Sequence, residues 1–208
     1  MDIGQLFAIA FSAILVSNVV LAKFLGLCPF IGVTQRTESA LGMGAAVTFV
    51  MFLASFATFI LYRGILVPSG LVLALKTPMF ILVIAALVQL VELFMRARLP
   101  ALYDALGIYL PLITTNCAVM GVALLNTSDA PADFQQMSFM AGLAAASWRG
   151  ICSGLGFTMA MLLMSGIRER LAHVNVPEPL RGIPIAFICT GLMAMAFLGF
   201  TGMGSAGG

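Results

Sequence analysis

The sequence predicts an all-α integral membrane protein of six transmembrane helices, built as two inverted three-helix repeats with broken helices at spans one and four. Three observations carry this expectation. The 208 residues are 62% hydrophobic and 9% charged, whereas a soluble domain carries about 25% charged residues. Long uncharged runs recur along the chain, and about 20 apolar residues suffice for one crossing. Motifs of the first half also return in the same order in the second. This composition excludes a water-soluble globular enzyme, a disordered tail and a nucleic-acid binder. The net charge of +2 is too small to imply an anionic partner.

The N-terminal run MDIGQLFAIAFSAILVSNVV has no basic n-region and no A-x-A-like cleavage site, so it reads as a retained first span beginning near Ile3. The second span is expected at about Leu41–Tyr62, the third at Thr77–Met95 and the fourth at roughly Leu102–Leu125. The fifth is expected at about Trp148–Ile167 and the sixth at Ile183–Phe200. Polar or Pro-containing stretches connect them, and nothing remains for a soluble domain, so residues 1–208 form a single membrane domain. Loops one, three and five hold Arg36, Arg96, Arg98, Arg168, Arg170 and Arg181, whereas the other side holds Arg63, Lys76 and Arg149. The positive-inside bias therefore puts the odd loops in the cytoplasm and both termini on the outer side.

The repeat joins Cys28-Pro-Phe-Ile-Gly-Val to Cys117-Ala-Val-Met-Gly-Val, Gly42-Met-Gly to Gly154-Leu-Gly, and Pro78 to Pro184. The units are about 1–98 and 99–208. Three spans per unit is an odd number, so the second copy enters from the opposite side and a pseudo-two-fold axis lies in the membrane plane. Ile3 to Thr34 is too long for one simple helix and contains Gly26, Pro29 and Gly32. Gly107, Pro111 and Gly121 flank Cys117 likewise. Paired Gly/Pro-interrupted segments point to a membrane-embedded site, which places a functional site at Cys28 and Cys117.

A lone transmembrane cysteine is ordinarily a small apolar residue, and Cys152 and Cys189 keep that reading. For Cys28 and Cys117, a disulfide would be unusual facing the interior of a membrane bundle. Structural zinc lacks the histidine or second cysteine nearby to complete four ligands. Thiolates are costly in hydrocarbon unless a metal neutralises them. Two thiolates are half of the four that hold a [2Fe–2S] cluster, so a second copy or a similar protein would have to supply the rest.

Other polar residues lie close by. Lys23 either lowers the cost of a reduced cluster or snorkels to an interface. Thr114, Thr115 and Asn116, with Pro29 beside Cys28, are candidates for the layer around the cluster, where donors to sulfur tune the potential. Helix–helix hydrogen bonding is the plainer reading of Asn18. Gln89 and Glu92 share a helical face on span three and are candidates for an ion path, although Arg96 at i+4 makes a simple ion pair the plainer role for Glu92. His173, in a loop, is expected to be solvated. Glycines 42, 44, 154 and 156 most simply allow close helix approach.

The segments KFLGLCPFIGV (23–33), GIYLPLITTNCAVMGVALLN (107–126), GIRERL (166–171) and the VPEPLRG…GLMAMAFLGF ending resemble the A-type subunits of Rnf (Rsx) electron-transport complexes, in the NqrDE/RnfAE family. NqrE of the sodium-translocating NADH:quinone reductase shares the architecture, but KFLGLCPF is closer to the Rnf form. The resemblance implies a bacterial membrane complex coupling electron transfer between NADH and ferredoxin to Na+ or H+ translocation. It further implies that Cys28 and Cys117 ligate a mid-membrane [2Fe–2S] cluster completed by the homologous E-type subunit, with B-, C-, D- and G-type subunits as further partners. Relative to the family pattern, the stretch from Asn126 to Gly154 reads as an addition forming a short amphipathic or re-entrant segment. A secondary transporter, which also uses inverted repeats with broken helices, and a purely structural scaffold are the competing functions. Hydride chemistry belongs to other members of the complex, since no flavin or nicotinamide motif occurs here.

Overall fold

The computed structural model describes residues 3–69, 72–98, 112–113, 115–128 and 138–204, and among these every regular element is helical. Helix α1 (Ile3–Phe11) passes into a π-helical turn, Ser12–Val16. After a non-helical stretch come α2 (Leu27–Val33) and α3 (Thr37–Leu61), the latter continued by a second π turn, Tyr62–Leu66. Then follow α4 (Val72–Arg98), α5 (Cys117–Ser128), α6 (Phe139–Leu171) and α7 (Ile183–Gly204). Among the described residues, four segments are long and apolar enough to cross a membrane: Thr37–Leu66, Leu75–Phe94, Phe139–Leu171 and Ile183–Phe200. Gly4–Val16 and Cys117–Thr127 are apolar but shorter.

The most extensive packing is between α3 and α6. In lipid, two apolar helices gain little from burying more apolar surface, so association rests on close fit and hydrogen bonds. Small residues provide that fit. A Cβ on Gly44 would lie 2.6 Å from Thr158 Cγ2, and one on Gly154 would lie 2.6 Å from Thr48 Cα. Each threonine folds back onto the carbonyl of the glycine four residues earlier, Thr48 to Gly44 at 2.7 Å and Thr158 to Gly154 at 2.9 Å. The two hydroxyls then meet at 3.2 Å.

This crossing is antiparallel, with Thr37 at the start of α3 beside Ser165 near the end of α6, and Phe59 beside Gly142. It is also locally two-fold. The buried Ala40, Met43, Gly44, Val47, Val50, Met51, Ala54 and Ser55 of α3 correspond, at the 110-residue offset that separates Thr48 from Thr158, to Gly150, Ser153, Gly154, Phe157, Ala160, Met161, Met164 and Ser165 of α6, all buried. The register pairs Gly44 with Gly154, two residues away from the alignment of Gly42 with Gly154 made on sequence.

Several boundaries differ from the sequence expectations. The second span starts at Thr37, because the polar Thr37-Glu-Ser forms a first helical turn; Glu38 there suits the positive end of the helix. The third begins at Val72, which leaves Pro78 inside the helix rather than at its start. The fifth extends from Phe139 to Leu171, about 50 Å at 1.5 Å per residue. The short amphipathic or re-entrant segment expected to run into this span is therefore corrected over its described part: residues 139–154 are the first half of one continuous helix. Its Gly142, Ala145, Ala146 and Gly150 are buried, so they read as a close-packing face rather than a surface segment. Residues 129–137 lie outside the described residues, as do Gly107 and Pro111 of span four.

We expect Gly154→Ala to lower the unfolding free energy in detergent by about 1–3 kcal/mol, the usual cost of overpacking, because its Cβ meets backbone. Gly42→Ala, which meets nothing within 4 Å, is expected to leave unfolding unchanged. Equal effects of the two substitutions would refute the crossing.

Candidate functional site

The site starts from a gap in the helical backbone between Val16 and Leu27. Buried peptide groups without partners are costly in an apolar setting, and one residue meets much of that demand. Asn18, 1% exposed, donates from Nδ2 to the carbonyls of Ile14 (3.0 Å) and of Gly156 on α6 (2.9 Å). Its Oδ1 accepts from the amides of Val20 (3.0 Å) and Leu21 (3.4 Å). The hydrogen-bonding role expected for Asn18 is the one it plays, with backbone groups as partners. Val19, Val20 and Leu21 then anchor the segment in the core.

Past that anchor the chain turns sharply. Phe24 has φ 54° and Gly26 φ 82°, left-handed values that glycine adopts without cost and phenylalanine does not. Gly26 is required for space as well. A Cβ there would lie 2.9 Å from Phe157 Cε2 and 3.0 Å from Ala118 Cβ. What comes close instead is the second cysteine: the Gly26 N–H donates to Cys117 Sγ at 2.9 Å. The structure thus brings the two cysteine motifs together, with Cys117 against the residue that precedes α2 and Cys28 in the first turn of that helix. Both cysteines are exposed on this chain, and all four cysteines are free thiols.

Each cysteine helix has its own local cause. Asn116 caps α5, its Oδ1 accepting from the Ala118 amide at 3.0 Å. Its Nδ2 is buried with no partner among the described residues. Cys117 therefore opens a 12-residue helix, where unsatisfied N–H groups favour negative charge. Gly121, one turn on, admits Leu25 of the turn, whose Cδ1 would be 2.4 Å from a Cβ. In α2, Pro29 is buried in the first turn, where a missing N–H costs nothing.

The far end of α2 is held by α6. Thr34 Oγ1 donates to the Phe30 carbonyl at 2.6 Å. Arg168 Nη1 donates to the Ile31 carbonyl at 2.6 Å and to Thr34 Oγ1 at 3.2 Å. Glu169 accepts from the Thr37 amide at 3.1 Å and from the Thr37 hydroxyl. One dipeptide of α6 thereby ties down the end of α2 and the start of α3. Sequence reasoning used Arg168 only as a topological charge and passed over Glu169; the carbonyls left bare at the end of so short a helix were the available signal.

The remaining candidates divide. Lys23 is exposed within the turn, Thr115 is exposed beside Asn116, and Thr114 lies outside the described residues. Gln89 is exposed and Glu92 half-buried on α4, away from the bonds that organise the cysteine motifs. The expected Glu92–Arg96 ion pair is not formed among the described residues; Arg96 is exposed instead, free to be solvated. His173 is exposed in its loop, as expected. Among the described residues, no three His, Cys, Asp or Glu side chains gather in one place. The fold brings the Gly26 N–H onto the Cys117 sulfur, and Cys28 lies two residues further along that segment.

Replacing Arg168 by Gln is expected to cost about 1.5–3 kcal/mol, the range for hydrogen bonds from a charged group, read as a lower unfolding midpoint. Arg170→Gln, at an exposed neighbour, is expected to be silent. A silent Arg168→Gln would show that the α2 cap is not formed.

Comparison with known proteins agrees with this architecture. The family model described as "Rnf-Nqr subunit, membrane protein" matches residues 6–204. The chain is 53% identical over 195 residues to the A-type subunit of the Na(+)-translocating ferredoxin:NAD(+) oxidoreductase complex of Acetobacterium woodii, covering 94% of this chain and 96% of that protein. It is 51% identical over 200 residues to the A-type subunit of the ion-translocating oxidoreductase complex of Cereibacter sphaeroides, covering 96% and 98%. With the protein of the same name in Yersinia enterocolitica, identity is 54% over 190 residues, covering 91% and 93%. Such matched lengths leave little room for an added stretch between Asn126 and Gly154. On its sequence over nearly its whole length, the chain belongs to the Rnf–Nqr family of membrane subunits.

Proposed function

We propose that this chain is the A-type membrane subunit of an Rnf complex, coupling electron transfer between NADH and ferredoxin to Na+ or H+ translocation. Cys28 and Cys117 supply half the ligands of a mid-membrane [2Fe–2S] cluster, and the homologous E-type subunit supplies the others. The observation that carries this reading is the Gly26 N–H to Cys117 Sγ contact, which draws both cysteine motifs to one place and gives a sulfur the kind of donor that tunes cluster potential. When bound, a cluster of this kind accepts and releases one electron.

The chain's own residues have definite tasks in this scheme. Cys28 and Cys117 are exposed, hence open to a second protein. The Asn116 amide, buried without a partner among the described residues, is a second donor next to the same sulfur. Phe157 and the Val19–Leu21 anchor exclude water from behind the turn. Arg168 fixes the helix that carries Cys28.

Six crossings in two inverted repeats complete the proposal, with α1–α2 and the segment through α5 as the broken spans. The two-fold α3–α6 crossing supports it, since the same buried pattern recurs at a constant offset on antiparallel helices. The relatives' names favour the Rnf assignment over the NADH:quinone reductase one. Partners of the B, C, D and G types, a bacterial inner membrane and periplasmic termini follow from the same assignment.

Electron paramagnetic resonance of the purified, reduced complex tests it. With Cys28→Ser or Cys117→Ser, one [2Fe–2S] signal is expected to disappear while the complex still assembles. An unchanged set of iron–sulfur signals in both variants would sink the cluster assignment.

A further inference from the structure

A cavity of about 430 Å3 opens where α6 ends and α7 begins, lined among others by Arg168, His173, Asn175 and Arg181. No carboxylate is among its described lining residues. Glu169, the nearest acidic side chain in sequence to Arg168, is engaged by Thr37. The net charge of the chain is small, but here two arginines line one space. Arg168 uses Nη1 on Ile31 and Thr34, and its other N–H groups have no partner among the described residues. Arg181 is exposed, and its guanidinium makes no bond to a described residue. The start of the 22-residue α7 also contributes, with Gly182 and Ile185 on the wall, and a helix start favours negative charge.

Gln35 adds a neutral polar group, and the rest of the lining, including Leu171 and Val176, is apolar. Directly beyond it α7 presents Ile183, Phe187 and Ile188, about half or more exposed. A polar, cationic end continuous with an exposed apolar helix face matches a molecule with a phosphate at one end and hydrocarbon at the other. Basic pockets between membrane helices hold such head groups.

We propose that this cavity binds an anionic phospholipid, its phosphate between Arg168 and Arg181 and its acyl chains along α7. Because Arg168 also caps α2, the bound lipid would brace the helix that carries Cys28. The proposal needs a membrane-embedded chain but not the cluster.

The test uses the whole complex, solubilised and exchanged into nanodiscs of phosphatidylcholine with graded phosphatidylglycerol, and counts retained lipid by mass spectrometry. Wild type is expected to retain phosphatidylglycerol selectively, and Arg181→Gln to weaken retention about fivefold, the effect of one basic residue near a lipid surface. His173→Gln, a second lining change, is expected to weaken it less, and Arg170→Gln, outside the cavity lining, not at all. Equal retention in wild type and Arg181→Gln would overturn the proposal. So would displacement of the lipid by inorganic phosphate at matched concentration, which would mark a free-phosphate site. A photo-crosslinker at Asn175 that captures another protein of the complex instead of lipid would overturn it as well.

Discussion

The close antiparallel contact between α3 and α6 is the constraint on which the remaining structure depends. Lipid provides no hydrophobic drive for helices to pair, so the pair is held by how near its backbones come. Gly44 and Gly154 permit that approach, and Thr48 and Thr158 lose no hydrogen bonding by it, because each satisfies its hydroxyl on its own helix. Once α6 is fixed in this way it serves as a spine. The carbonyl of Gly156 receives Asn18, Phe157 bounds the space of Gly26, and Arg168 and Glu169 meet α2 and α3.

The cysteine site is a consequence of how a broken chain is stabilised among apolar helices. A gap in a membrane helix exposes backbone groups that water cannot reach. Here they are met by Asn18 and by local bonds within the gap, and Asn18 is itself held by the Gly156 carbonyl of α6. With the gap secured, the left-handed turn at Gly26 can place an N–H on a sulfur from the other half of the chain. The polar contact that marks the site is therefore available only because the break is otherwise satisfied.

Two thiols would make an incomplete ligand set for the proposed iron–sulfur cluster. Their exposure provides a physical rationale for the proposed partnership with a homologous protein. Arg168 likewise serves twice, capping the cysteine helix with one nitrogen and lining the cationic cavity.

Much of this protein is written in its sequence. Composition and uninterrupted apolar runs set the all-helical membrane class, because each peptide group must be bonded within its own helix. Gly26 ahead of Cys28 marked a place where helix is interrupted, whereas Pro29 and Gly32 lie within α2 and Gly121 within α5, and the small residues at 44 and 154 marked a close approach. Other features depended on residues far apart in the chain. The two-residue shift in the register of the glycine pair, the use of residues 139–154 as half of one long helix, and the roles of Arg168 and Glu169 all arise from packing geometry. The Asn116 oxygen caps a helix, a role separate from the donor role proposed for its nitrogen. The sequence by itself pointed to the interruption at Gly26 ahead of Cys28, since backbone conformation is local. Only the tertiary structure decided that Gly26 meets Cys117, since that bond spans 91 residues and exists because α6 holds both ends in place.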